Sequence, residues 1–365
     1  MKQEQEQTTQ KEEKAQEQEQ APAPAPHRLP MTYHENIVTE EKVEELAEEN
    51  LFSLDLSNIP NKGIGAGYEL APTLIDLDLT HNQIKVIEKL EPLTQLKTLG
   101  LRQNIIEEIG SGLQTLHSLT SLDLYDNRIE VIEGLSSLGS LTSLDLSYNV
   151  IRTIDSDSLK GLGSLEQLYL TENKIREIKN LEPVGGTLKV LELGANRIRK
   201  IGDGLKCFKQ LEALWLGGNR ISTIEGIDTP ELSASLQKLS LQCNKITTVE
   251  HGLGSLVNLT ELYLSENGLK TLRGVEVLVN LRILDVGSNF LADISGVEPL
   301  VNLEDFWCND NKIEDAEEVK KLAGAKGIQT VYFESNPFST ADKTYIAKIK
   351  EILPSLTQID GSLFP

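Results

Sequence analysis

The stretch "LTSLDLYDNRIEVI", residues 119–132, decides the fold of this chain. Leucines occupy places one, four and six of it, Asn127 occupies place nine, and isoleucines occupy places eleven and fourteen. The pattern returns in "LEQLYLTENKIREI", residues 165–178, and its asparagine recurs every 22 or 23 residues, with three longer spacings of 24 or 25. The twelve asparagines are Asn82, Asn104, Asn127, Asn149, Asn173, Asn196, Asn219, Asn244, Asn267, Asn289, Asn311 and Asn336. Self-similarity at this period indicates a stack of structural repeats.

A leucine-rich repeat has this spacing of leucine and asparagine. One repeat cannot bury its own apolar stripe, so neighbouring repeats stack and share a continuous core. The sequence therefore predicts an α/β leucine-rich-repeat solenoid that forms a curved right-handed superhelix. Its parallel β-sheet should line the concave side, and short helices or 3-10 turns the convex side. The asparagine amides should bond backbone groups that would otherwise be buried without partners.

The composition changes along the chain and predicts four regions. Residues 1–30 are rich in Gln and Glu and end in "APAPAP", which favours a disordered tail. Residues 31–50 should form a capping helix, and residues 51–338 about thirteen repeats, the first of them degenerate. Residues 339–365 should close the other end as a C-terminal cap, because the last repeat would otherwise expose its apolar edge.

The charge and the cysteines limit the partners and the compartment. The net charge of −21 argues against nucleic acid and against an anionic membrane surface. No segment has the ~20 apolar residues of a membrane span, and the start of the sequence lacks a secretory apolar core. Cys207, Cys243 and Cys308 are odd in number and far apart, which favours a reducing compartment, the cytosol or the nucleus.

The sequence carries no pattern typical of catalysis. None of the five histidines stands at metal-ligand spacing from a cysteine or a carboxylate. "GIGAGYEL", residues 63–70, has Tyr68 where a dinucleotide-binding motif needs its third glycine. We therefore predict a non-enzymatic chain without a cofactor or a metal.

Place five of each repeat should point outward from the predicted sheet, because neighbouring strand residues face opposite sides. This column reads Asp55, Asp78, Gly100, Asp123, Asp145, Tyr169, Glu192, Trp215, Ser240, Tyr263, Asp285, Trp307 and Tyr332. It holds both tryptophans of the chain, and of its thirteen places five are aromatic and six are acidic. Among places three, five and seven, only Arg102 and Lys238 are basic.

Two interpretations of this column are open. Stacked aromatic residues stabilise sheets in general, and acidic residues keep a long sheet soluble. Large exposed rings bordered by charge, however, are typical of protein interaction sites. We predict a protein partner with basic and apolar groups, bound by Asp123, Asp145, Tyr169, Glu192, Trp215, Tyr263, Asp285, Asp305, Trp307 and Tyr332.

The repeat pattern, its copy number, the acidic tail and the C-terminal segment together resemble one family over about residues 37–365. It is the regulatory-subunit-7 family of leucine-rich-repeat regulators of protein phosphatase-1. The resemblance implies that the phosphatase catalytic subunit is contacted by Asp145, Tyr169, Glu192, Trp215, Asp285, Asp305, Trp307 and Tyr332.

The same resemblance implies a ternary complex with an inhibitor-3-type protein. It further implies control of phosphatase activity, maturation or localisation, a role in mitotic chromosome segregation, and a location in nucleus and cytoplasm. The short docking motif of many phosphatase-1 regulators is not matched, because "TVYF", residues 330–333, lacks a preceding basic residue. Docking would therefore use the folded surface.

Two rival hypotheses remain at this stage. The first is a leucine-rich-repeat module for another protein partner, in tubulin folding, cilia or splicing. The second is an enzyme with a site grafted onto the repeats, against which the missing catalytic patterns argue.

Overall fold

The computed structural model describes residues 53–55, 57 and 72–364. The predicted tail, the predicted capping helix at 31–50 and most of the first repeat lie outside these residues. One sheet of fifteen strands runs through the described part of the chain, with the strands in sequence order. The first thirteen strands are β1 Ser53–Asp55, β2 Asp76–Asp78, β3 Thr98–Gly100, β4 Ser121–Asp123, β5 Ser143–Asp145, β6 Gln167–Tyr169, β7 Val190–Glu192, β8 Ala213–Trp215, β9 Lys238–Ser240, β10 Glu261–Tyr263, β11 Ile283–Asp285, β12 Asp305–Trp307 and β13 Thr330–Tyr332.

The strands β1 to β13 pair in parallel and in register, so that each place of one repeat lies beside the same place of the next. Leu122 of β4, for example, is level with Leu144 of β5, and Asp123 is level with Asp145. We call the repeat that carries strand βn coil n. Two short strands follow β13: β14, Gln358–Ile359, pairs with it in parallel, and β15, Ser362–Leu363, pairs with β14 antiparallel.

The core of the solenoid is a file of leucine and isoleucine side chains. In coil 4 the residues at places one, four, six, eleven and fourteen are at most 2% exposed. The middle residue of each of β2 to β13 is likewise buried, and its two neighbours are mostly half-buried. The predicted solenoid and its parallel sheet are therefore confirmed.

Turns connect most strands on the side away from the sheet, and short helices do so at a few places. The 3-10 helices are Glu182–Val184, Gly202–Leu205 and Ala316–Leu322. The α-helices are α1 Pro230–Ser235, α2 Pro337–Ala341 and α3 Tyr345–Ile352. Thr229 caps α1, since its side chain accepts a bond from the Leu232 N–H at 3.2 Å.

The recurrent asparagine joins each coil to the one before it. Asn173 Nδ2 donates to the Leu170 carbonyl of its own coil at 3.1 Å and to the Leu146 carbonyl of the preceding coil at 2.9 Å. Its Oδ1 accepts from the Ile151 N–H of the preceding coil at 3.0 Å. The same bonds recur from Asn104 to Asn336. These amides satisfy polar backbone that the stacked coils bury.

The residue before each of these asparagines has a left-handed backbone conformation. Non-glycine residues hold this place in eleven of the twelve coils, with φ between 49° and 60°, and Gly218 holds it in the other. Such a conformation costs a non-glycine residue about 1–2 kcal/mol. The sequence did not predict this feature, because the usual glycine signal occurs at only one of these places.

The C-terminal helices cover the last coil. Ile349 of α3 is fully buried, and Leu356 and Ile359, which follow α3, are at most 1% exposed. The carboxylate of Asp360 is buried too, and it accepts bonds from the Glu334 N–H at 2.9 Å and from the Tyr345 hydroxyl at 2.7 Å. This end of the sheet is therefore closed by apolar and polar contacts together.

Candidate partner-binding surface

The ten residues predicted to bind a partner lie on one face of the sheet, and we call them the acidic–aromatic strip. Asp305 occupies the first place of its strand, and the other nine occupy the last place of theirs. None belongs to the apolar core, because the buried middle residue of each strand faces the opposite side. The strip has an acidic end on β4 to β7 and an aromatic end on β8 to β13.

The aromatic end is a continuous series of four rings. Trp215 and Tyr263 stack with ring centroids 6.0 Å apart and an interplanar angle of 26°. Tyr263 and Trp307 are 6.4 Å apart, and Trp307 meets Tyr332 edge-on at 6.2 Å. All four rings are half-buried, so each keeps part of its surface open to a partner.

Two small side chains sit between these rings and allow them to meet across a coil. Ser240 of β9 lies between Trp215 and Tyr263, and Asp285 of β11 lies between Tyr263 and Trp307. Both are largely covered, with 1% of Ser240 and 9% of Asp285 exposed. The Asp285 carboxylate accepts from the Ser265 hydroxyl at 2.5 Å and from the Gly287 N–H at 3.0 Å. Asp285, one of the ten predicted contact residues, is thus hydrogen-bonded within the protein itself.

The acidic end places three carboxylates and one ring on consecutive strands. They are Asp123, Asp145, Tyr169 and Glu192, which pair in register from β4 to β7. Asp123 accepts from the Tyr125 N–H at 2.9 Å, and Asp145 accepts from the Ser147 N–H at 2.8 Å. Glu192 accepts from the Thr171 hydroxyl at 2.8 Å.

The aspartates of the strip therefore have a structural role that sequence reasoning missed. Asp123, Asp145 and Asp285, which end their strands, each accept a bond from the N–H two residues later, where the chain leaves the strand. Asp55 and Asp78, outside the strip, make the same bond to Ser57 and Thr80. The signal was present, since an Asp that bonds backbone two residues on is a known turn-forming pattern.

Burial disfavours the charge on the strip carboxylates. Loss of hydration, together with the neighbouring Asp145 charge, raises the pKa of Asp123 to about 6. Burial also raises the pKa of Asp145, Glu192 and Asp285 above the ordinary range. These groups would regain favourable interactions from a cation supplied by a partner.

The cations already on this face do little to neutralise the strip. Lys238 of β9 is bound to Glu261 at 2.8 Å. The guanidinium of Arg102 lies over the Tyr125 ring, 3.9 Å from its centroid. Its charge lowers the pKa of Asp123, but burial and the Asp145 charge, which raise that pKa, have larger effects. The acidic end thus remains available to a basic surface.

Replacing Asp123 by asparagine is expected to stabilise the protein at neutral pH. The raised pKa means that the folded state binds this proton more tightly than the unfolded chain. The stability from this group is complete at low pH and is lost as pH rises from about 4 to about 6. Asp123→Asn keeps an acceptor for Tyr125 and should raise the free energy of unfolding by roughly 1–3 kcal/mol near pH 8.

Urea unfolding of both proteins at about pH 8 and about pH 4 checks this expectation. The advantage of the asparagine variant should disappear at the lower pH, where the aspartic acid is already protonated. An advantage of equal size at both pH values would show that the charge of Asp123 is not its cause.

A second aromatic pair lies beside the acidic end and was not among the predicted contact residues. The rings of Tyr125 and Tyr148 have centroids 4.8 Å apart, and Tyr148 is 45% exposed. Tyr148 lies at place eight, just beyond the strand, so the alternation rule for strands did not include it. Its exposure and position add it to the candidate contact residues.

The described residues show no other site of chemical character. Among them, no three His, Cys, Asp or Glu side chains are grouped so that they could hold a metal ion. Within the same residues, no helix has the length and apolar character needed to cross a membrane. The thiols of Cys207, Cys243 and Cys308 are free, and burial raises the pKa of Cys207 to about 11.

Comparison with known proteins agrees with this architecture. A family model described as a leucine rich repeat matches residues 94–148, 117–175 and 234–291. An internalin of Listeria monocytogenes superposes with a TM-score of 0.69 at 26% identity, over 90% of this chain and 91% of the internalin. A leucine-rich-repeat protein of Leptospira interrogans gives 0.67 at 25% identity, over 88% and 86% of the two chains. This chain folds as a leucine-rich-repeat solenoid.

One curated relative of this leucine-rich-repeat chain carries a functional name. It is protein phosphatase 1 regulatory subunit pprA of Dictyostelium discoideum, which is 45% identical over 73 residues. The match covers 20% of this chain and 22% of that relative, so it spans about a fifth of either protein.

Proposed function

We propose that this chain is a non-catalytic regulatory or scaffold subunit that binds the catalytic subunit of protein phosphatase-1 through the acidic–aromatic strip. The observation that carries the proposal is the strip itself. It has four half-buried rings that contact one another, and beside them it has carboxylates whose pKa is raised by burial. The name of the Dictyostelium relative supports the choice of partner.

The two ends of the strip would contribute differently to the complex. The carboxylates of Asp145 and Glu192 would attract a basic surface and fix its orientation. The rings of Trp215 and Trp307 would lose their remaining water contact and supply most of the affinity. The partner surface should therefore present Lys or Arg opposite β4 to β7 and apolar side chains opposite β8 to β13.

The wider biological role belongs to the same proposal. Binding would control the activity, maturation or localisation of the phosphatase, in nucleus and cytoplasm and during chromosome segregation. An inhibitor-3-type protein would join a ternary complex. Support for these points is the resemblance of the repeat and of the strip residues to regulators of protein phosphatase-1.

Calorimetric titration of the full chain with the phosphatase catalytic subunit tests the proposal. Asp145→Asn keeps the acceptor for the Ser147 N–H and removes only the charge. We expect it to weaken binding about tenfold, since a hydrogen bond to a charged group contributes roughly 1.5–3 kcal/mol.

Asp203→Asn is the matched control, because Asp203 is exposed on the turn side and paired with Lys206 at 2.7 Å. It changes the net charge equally and should leave the affinity unchanged. No heat of binding with the phosphatase, together with capture of tubulin or spliceosomal proteins from a lysate, would reject the assignment.

A further inference from the structure

A row of basic side chains lies just beyond the sheet, where the chain turns away from the strands. Place ten, directly after the recurrent asparagine of each repeat, is basic in four consecutive coils. These residues are Lys174, Arg197, Arg220 and Lys245 of coils 6 to 9. Place twelve adds Arg152, Arg176 and Arg199 of coils 5 to 7, and Lys200 follows directly. We call these eight residues the basic edge.

Backbone hydrogen bonds fix the geometry of the basic edge. The N–H groups of Arg197, Arg220 and Lys245 each donate to a carbonyl of the preceding coil at 2.8 Å. Place eleven between the two basic places is a buried isoleucine in every one of these coils. Because burial alternates, places ten and twelve both face solvent. Basic residues at the same place of successive coils therefore stand about one inter-strand spacing of ~4.8 Å apart along the stack.

None of the eight cations forms an ion pair within the described part of the chain. No carboxylate of the described residues lies within the 4.0 Å of an ion pair from any of them. Lysines of the turn side behave differently, since Lys160 and Lys206 each pair with an aspartate three residues earlier. In a chain of net charge −21, an unpaired basic row is an exception to the prevailing charge.

We propose that the basic edge binds an acidic polypeptide segment in an extended conformation. Lys174 to Lys245 spans three coil spacings, or ~14 Å, which about five extended residues would cover at ~3.3 Å each. Guanidinium groups pair with carboxylates in a bidentate geometry that favours this ligand chemistry. The acidic strip and the overall charge repel a long polyanion, so a short acidic segment fits better than a nucleic acid.

This surface is separate from the acidic–aromatic strip and takes the opposite ligand charge. The strip residues lie at places three and five of their repeats. The four residues of places six to nine, where the chain turns, separate place five from place ten. One solenoid would thus hold a basic, apolar surface on its sheet and an acidic segment along its edge. Either interaction can fail without the other.

A labelled peptide tests the proposal on the full chain. The probe is a fluorescent peptide of about twelve residues that alternates Glu and Ser, long enough to overlap coils 6 to 9. A Gln–Ser peptide of equal length controls for charge. Fluorescence anisotropy should show binding of the Glu peptide alone, which weakens as ionic strength rises.

The decisive variant is Arg197→Gln/Arg220→Gln/Lys245→Gln, and its control is Lys160→Gln/Lys206→Gln/Lys320→Gln. Both triple variants remove the same charge, and circular dichroism checks that both are folded. We expect the edge variant to lose about tenfold or more in affinity for the Glu peptide, and the control less than about twofold. Asp145→Asn should leave this binding unchanged, which separates it from the proposed phosphatase contact.

Three results would overturn the proposal. One is equal loss in both triple variants, and another is equal binding of the Glu and Gln peptides. The third is stronger binding of a single-stranded oligonucleotide or of anionic vesicles than of the Glu peptide. If the edge variant does not fold, Arg197→Glu/Arg220→Glu replaces it, and this variant should bind a Lys–Ser peptide in preference to the Glu peptide.

Discussion

Replacing Trp307 by alanine is expected to weaken binding of the phosphatase catalytic subunit by about 2–4 kcal/mol, while the protein stays folded. The indole is half-buried and lies at the centre of the aromatic end, 6.4 Å from the ring of Tyr263 and 6.2 Å from that of Tyr332. A ring in this position would give the proposed partner a rigid apolar anchor.

The same substitution should change stability only slightly, because two effects oppose each other. Each lost ring contact costs roughly 0.5–1.5 kcal/mol. Burial raises the pKa of Asp285 and so disfavours its charge. Removal of the indole would uncover this carboxylate and return it to water, which offsets part of the loss. We expect the free energy of unfolding to fall by less than about 1.5 kcal/mol.

Two matched substitutions separate binding from stability. Phe290→Ala removes a ring that is 54% exposed but lies off the strip, and it should alter neither property measurably. Leu284→Ala removes a fully buried core residue of β11 and should cost about 2–5 kcal/mol of stability. Calorimetric titration gives the affinity, and urea unfolding gives the stability. If Trp307→Ala behaved like Leu284→Ala and kept its affinity, the ring would be structural rather than a partner contact.

Periodicity made most of the fold predictable from the sequence. Twelve asparagines in register set the strand positions, and the two-residue alternation of a strand then assigned each side chain to the core or to the outer face. Trp307 was placed outside the core in this way, because Phe306 and Cys308 beside it are both buried. The position of an acidic–aromatic column therefore required no knowledge of contacts between coils.

What the sequence did not predict depends on contacts between coils. Alternation treats Asp285 as equivalent to Asp145, yet the two rings on either side of Asp285 leave it only 9% exposed. That covering depends on the size of side chains 22 residues before and after it. The basic edge was missed for a related reason, since the net charge of −21 belongs to the whole chain and does not show where basic residues gather. Local charge depends on which residues of stacked repeats lie side by side, and the composition of the whole chain does not contain this information.

Burial of the strip carboxylates supports the proposal that they bind a partner over the alternative that they only keep the sheet soluble. A carboxylate that only keeps a sheet soluble would be well hydrated, whereas burial raises the pKa of Asp123, Asp145 and Glu192. Charges in that condition reduce the stability of the free protein. Natural proteins commonly retain such a cost at functional sites.

Replacing one of the recurrent asparagines should destabilise the protein, because each asparagine amide joins its coil to the preceding one. Asn311→Ala is expected to destabilise the protein by roughly 1–3 kcal/mol, because it leaves the buried Leu291 N–H without its partner. The Val286 and Cys308 carbonyls lose one amide donor each but keep those of Asn289 and Asn336. Asn311 is fully buried. Its Nδ2 donates to the Val286 carbonyl at 3.0 Å, and its Oδ1 accepts from the Leu291 N–H at 2.9 Å.

The position of Asn311 near one end of the solenoid predicts where the loss should appear. Coils contact only their neighbours, so weakening the junction of coils 11 and 12 should release the coils beyond it before the rest unfolds. Hydrogen exchange should therefore accelerate in coils 12 and 13 and in α3, and stay nearly unchanged in coils 4 to 8. Asn258→Ala is the control, since that exposed amide bonds only the Ser233 and Ala234 carbonyls and should cost less than about 1 kcal/mol. Equal effects of the two substitutions, or uniform acceleration along the chain, would show that the buried amide does not link neighbouring coils.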